Sequence, residues 1–139
     1  MGWQLKNWNF KIDYSKYNIL REIEKYITLF FHQSATPKWI EVQNSKDFVK
    51  YAEANLSDHK GEAMVIKESR KAKLREIAEL CLRLNWNYCS QAEVRGSESS
   101  LVIVYDCSIF EYKSFTRAKN NLLIVTISGK RYQNRVVRK

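Results

Sequence analysis

The sequence predicts a three-layer α/β domain built on a mainly parallel sheet of four or five strands, with an added N-terminal helix. "AMVIK", "LVIVY" and "LLIVTI" are apolar along most or all of their length rather than at alternate positions. Strands need that pattern when both faces of a parallel sheet are covered. Between these runs lie stretches with helical spacing, and strand–helix–strand alternation builds right-handed βαβ units. The chain has 139 residues, 45% of them hydrophobic, with four Gly and one Pro. That suits one domain with a real core and excludes disorder or a loop-rich disulfide scaffold.

The elements follow in order. Tyr17, Leu20, Ile23, Ile27 and Phe30 recur at helical spacing, so an amphipathic helix is expected over 14–31, with Arg21, Glu22 and Lys25 outside. "QSATPK" breaks it at Pro37, the only proline. The boundary is placed there: 1–36 is read as a helical appendage, 37–129 as the α/β unit and 130–139 as a basic tail. "KWIEV" alternates and reads as a strand, and Ser45 with Asp47 opens a helix through Leu56. "SDHKGE" is a loop and "AMVIK" a strand. Leu74, Ile77, Ala78, Cys81 and Leu84 share one face of the next helix. A strand is expected within Tyr88 to Glu93, then "LVIVY", a short helix over "SIFEYKSFTRAK" and a last strand, "LLIVTI". Trp39 and Trp86 are assigned to the core.

Charge is distributed unevenly. Lys113, Arg117, Lys119, Lys130, Arg131, Arg135, Arg138 and Lys139 face no acid after residue 111, so +8 of the net +9 lies in residues 112 to 139. That end suits anions, phosphates above all, and nucleic acid is the expected partner. No run of apolar residues is long enough for a signal peptide or a membrane span. Cys81, Cys89 and Cys107 lack metal-ligand spacing, as do His32 and His59. Reduced thiols in an intracellular protein, cytoplasmic or nuclear, and no metal site are therefore expected.

Two stretches, "VRGSESSLVIVYD" and "YKSFTRAKNNLLIVT", stand in order between Val94 and Thr126. Together they resemble the last two motifs of the second RecA-like lobe of superfamily 1 helicases and ATPases, the UvrD-type and Upf-type enzymes. Gly96 and Glu98 stand at the Gly-x-Glu motif, and Thr116, Arg117, Ala118 and Lys119 at the Thr-Arg-Ala-Lys motif. The resemblance implies that Glu98 faces a nucleotide ribose or phosphate region and that Arg117 is an arginine finger. Gly96 and Thr116 belong to the same nucleotide site, with Ser97 and Thr116 as supporting donors. A guanidinium presents a planar fork of donors that neutralises charge on a transferring phosphoryl group. Lys119, with Lys130, Arg131, Arg135, Arg138 and Lys139, is assigned to nucleic acid.

The chain contains no Gly-x-x-x-x-Gly-Lys-Ser/Thr loop, so the backbone cradle for nucleotide phosphates is missing. Such a lobe is catalytically incomplete alone; ATP with magnesium enters only if a P-loop-bearing lobe or protein completes the site. Two other readings stay open. In one, the tail makes the chain a non-enzymatic binding protein for nucleic acid or an acidic protein. In the other, Asp106, Glu111 and Lys113 form the acid plus Glu-x-Lys set of a metal-dependent nuclease. Trp3, Trp8 and Phe10, with Lys6 and Lys11, pack an appendage or stack on bases.

Overall fold

The computed structural model describes residues 5–7, 36–68, 74–94, 98–107, 110–111, 114, 117–130 and 136–137. In chain order the elements are β1 (Leu5–Asn7), β2 (Thr36–Val42), α1 (Ser45–Asn55), β3 (Ala63–Lys67), α2 (Arg75–Leu84), β4 (Asn87–Ser90), β5 (Ser99–Tyr105), β6 (Phe110–Glu111), β7 (Ala118–Ile127) and β8 (Val136–Val137). The main sheet runs β1-β2-β7-β5-β3-β4, and β6 pairs with β8 separately. Five strands of the main sheet are parallel, as the apolar runs require. β1 joins β2 antiparallel, with Leu5 opposite Ile40 and Asn7 opposite Lys38, so residues from the expected appendage extend the main sheet.

Local chemistry sets the helix ends. The side chain of Asn44 accepts from the Asp47 amide at 2.9 Å, and Asp47 Oδ2 accepts from the Gln43 amide at 2.9 Å. The cap of α1 is thus one residue ahead of Ser45. α2 ends at Asn85 in a left-handed conformation, φ 54°, where Asn is among the few side chains tolerated. The Trp86 amide then closes on Cys81 O at 2.9 Å.

Phe48, Tyr51 and Ala52 of α1 and Ile77, Leu80 and Cys81 of α2 share a core with Ile40, Val42, Val65, Ile103 and Val125 of the sheet. The Phe48 ring lies tilted, 5.2 Å from that of Tyr105. Each fully buried Val, Leu, Ile or Phe among them contributes about 1.5–3 kcal/mol through burial. The two helices lie side by side, joined by Ser45 Oγ donating to Glu76 at 3.2 Å and Arg83 paired with Glu53 at 2.7 Å. Met64, Ile66, Val102, Val104, Leu122 and Ile124, at the alternate strand positions, are equally buried. Both sheet faces are therefore covered, which is the three-layer arrangement expected. Trp39 and Trp86 are core residues, and Trp39 Nε1 donates to Thr126 Oγ1 at 2.7 Å.

The helix expected over "SIFEYKSFTRAK" is corrected at both ends. Phe110 and Glu111 form β6, paired with Val136 and Val137 of the basic tail, and β7 already begins at Ala118. The reason is tertiary: the opening "AKNN" pairs with β5 at Ala118 and Asn121, and β2 joins on the other side from Asn121 onward. Ser114 alone of this segment is described as helical.

Candidate functional site at the amino end of the sheet

An open parallel sheet has two unlike ends. The chain leaves β3 for β4 on one side and leaves the adjacent β5 for β7 on the other. The carboxyl ends of β3 and β5 are thus the topological switch point, where such sheets ordinarily hold ligands. Lys67, Glu68, Asp106 and Cys107 stand there.

The groups at this end have partners in the fold. Lys130 Nζ meets both oxygens of Asp106, at 2.8 and 3.0 Å, while Asp106 takes a left-handed turn, φ 50°. Lys67 Nζ lies 4.9 Å from the centre of the Tyr88 ring. The Ser90 amide and hydroxyl both donate to Glu93, at 2.8 and 2.9 Å. Buried Ser114 donates to buried Gln91 at 3.1 Å. Cys107, wholly buried, directs its thiol at the Ile66 and Tyr105 carbonyls. Burial pushes Cys81 up to about 12, and burial with the Glu93 charge pushes Cys89 up to about 11, with Lys67 opposing. Neither thiol is a nucleophile near neutral pH.

The amino end is different. Glu98 directly precedes β5 and Arg117 directly precedes β7, two neighbouring central strands. The Ser99 amide donates to Arg117 O at 3.1 Å, which ties the two openings together. The two halves of the sequence pattern, 19 positions apart, are thus adjacent in space. Arg117 sits in a turn rather than on a helix, and at the amino end of the sheet rather than at the carboxyl end where α/β ligands are ordinarily sought. Its Nε is buried with no hydrogen-bond partner, a state that costs about 1–3 kcal/mol when nothing answers it. Glu98 is exposed.

Other expected site residues are more scattered. Lys119 is exposed on β7, and Lys130 is committed to Asp106. Gly96, Ser97, Thr116, Arg131, Arg135, Arg138 and Lys139 lie outside the described residues, as do Trp3, Trp8, Phe10, Lys11, His32 and Lys113. For the nuclease set, Asp106 is held by Lys130 while Glu111 lies on β6. Among the described residues, no group of three or more His, Cys, Asp or Glu could hold a metal, and no helix is long and apolar enough to cross a membrane.

One feature escaped the sequence. A cavity of about 340 Å³ opens beneath the last turn of α1, with Lys38, His59 and Asn121 among its lining residues. Its only linear trace is "KNN" interrupting an otherwise apolar strand. No family model matches this chain, and no curated protein or solved structure matches it.

Proposed function

We propose that the chain is a nucleic-acid-associated lobe of superfamily 1 helicase or ATPase type, which presents Arg117 and Glu98 to a nucleotide whose phosphates are held by a P-loop on another lobe or protein. One observation supports this most: Arg117 and Glu98 open neighbouring central strands, joined through Ser99, and Arg117 keeps a buried Nε without a partner. A phosphoryl oxygen meets that need, and the guanidinium fork would stabilise charge developing on it. Glu98 would accept from ribose hydroxyls. Lys119 and the cations of residues 130–139 would track a nucleic-acid backbone. The lobe needs ATP and magnesium only in company with the P-loop.

The test is the ATPase rate of a P-loop lobe with this chain added. The expected result is stimulation that falls at least tenfold with Arg117→Ala, the usual range for an arginine finger being about 10³–10⁵. Absence of nucleotide binding with or without the P-loop lobe would remove the reading. The uneven charge favours a second reading, a non-enzymatic basic binder. It gains if deleting residues 130–139 abolishes nucleic-acid binding while Arg117→Ala changes nothing.

A further inference from the structure

The cavity beneath α1 is lined by residues other than the Arg117–Glu98 pair, though it shares strands β5 and β7 with it. Its floor is apolar, formed by Leu101 of β5 and Leu123 of β7, with Tyr51 and Leu56 from the end of α1 as a wall. Lys38 of β2, His59 and Asn121 of β7 stand around it. β2 and β7 are paired, with Lys38 opposite Leu123, so the ammonium group and the apolar floor are set by one stretch of ladder. A volume of about 340 Å³ falls in the range of small-molecule sites, and so does the combination of apolar floor and few polar groups.

Of the polar residues lining the cavity, Asn55 and Tyr51 are engaged, while the side chains of Lys38, His59 and Asn121 are not. The side chains of Lys38, His59 and Asn121 make no hydrogen bond or ion pair, and among the described residues no carboxylate lines the space. The carbonyl end of α1, which would repel an anion, is already capped. Asn55 Nδ2 donates to Tyr51 O at 3.1 Å, the Leu56 amide to Ala52 O at 2.8 Å and the His59 amide to Leu56 O at 3.0 Å. The charge left facing the cavity is that of Lys38. Such a site suits a negative group on Lys38, a compact apolar body on Leu101 and Leu123, and hydrogen bonds from Asn121 and His59.

We infer that this cavity is a binding site for a small organic anion, a carboxylate or a phosphate ester carrying a compact apolar group. Both carry the chemistry Lys38 would recognise, and the two are separated by experiment.

Benzoate, phenyl phosphate and benzyl alcohol are titrated into the full chain and followed by amide NMR shifts. At least one anion should move the signals of Leu101, Asn121 and Leu123 and bind at least tenfold more tightly than benzyl alcohol. Benzoate ahead of phenyl phosphate assigns a carboxylate, and the reverse a phosphate ester. Lys38 is exposed, so Lys38→Gln leaves the fold intact and should weaken the anion about tenfold, as loss of one charge-assisted contact does. Asn121→Asp, which brings a negative charge to the rim, should weaken the same anion while sparing benzyl alcohol. Shifts elsewhere, equal affinity for the alcohol, no binding, or binding indifferent to Lys38→Gln would each overturn the site.

Discussion

The two ends of the parallel sheet are built from similar residue types and used differently. At the carboxyl end, Asp106 has Lys130, Ser90 has Glu93, Ser114 has Gln91 and Asn44 caps α1. At the amino end, Arg117 Nε is buried without a partner, Glu98 is exposed, and Lys38, His59 and Asn121 surround an open cavity. Polar groups that satisfy one another stabilise a fold, whereas polar groups held in place and left unsatisfied are available to a ligand. Among the described residues the Tyr88 hydroxyl, beside Lys67, is the other buried side-chain group without a partner; the open cavity and the Arg117–Glu98 pair make the amino end the place to look for function.

The contrast can be broken or sharpened by stability measurements. The largest effect is expected from alkali. An unfolded chain releases thiol protons near about pH 8.5, while the native chain keeps those of Cys89 and Cys81 to about 11 and about 12. Native protein binds more protons in that window. Stability is therefore full below pH about 8.5 and is lost as pH rises through the native values. Urea unfolding between pH 8 and 11 reads this directly, and a flat profile would refute the buried thiols. Next comes Gln91→Ala, which strands the buried Ser114 hydroxyl and should cost about 1–3 kcal/mol. Asn44→Ala removes the cap of α1 and should cost about 1 kcal/mol.

Lys130→Met breaks a partly exposed pair and should cost only about 0–1 kcal/mol, less in high salt. Smallest of all, Lys38→Gln at the open end should change stability by no more than about 0.5 kcal/mol, measured by the same unfolding, and Arg117→Met, which removes the unanswered Nε, should not lower it. A loss of several kcal/mol at either would mean that the amino end is braced as the carboxyl end is, and the contrast would fail.

Much of the framework was legible in the chain itself. "AMVIK" coincides with β3 at both ends, and "LVIVY" and "LLIVTI" form the carboxyl-terminal parts of β5 and β7. Continuous apolar runs of about five or six residues suit strands buried on both faces of a parallel sheet. The start of β7 was not legible: "KNN" is polar, and the pairing that makes it strand is with β5, β2 joining only from Asn121. Nor was β6, two residues whose partner stands 26 positions away.

For the site, the sequence pointed to Arg117 and Glu98 as a pair, and they are neighbours. Linear spacing could not say which end of the sheet they occupy, because that depends on strand order. The cavity was invisible for a related reason. Lys38, His59 and Asn121 come from three separate segments, and none belongs to a recognisable motif.

The most direct measurement is an amide NMR titration of the full chain with ATP and magnesium in the presence of a P-loop lobe. The predicted result is that the nucleotide moves the signals of Glu98, Ser99, Arg117 and Ala118 at the amino end, and that Arg117→Ala abolishes those shifts. Shifts centred instead on Lys67, Asp106 and Cys107, or no shifts with nucleotide at all, would contradict it.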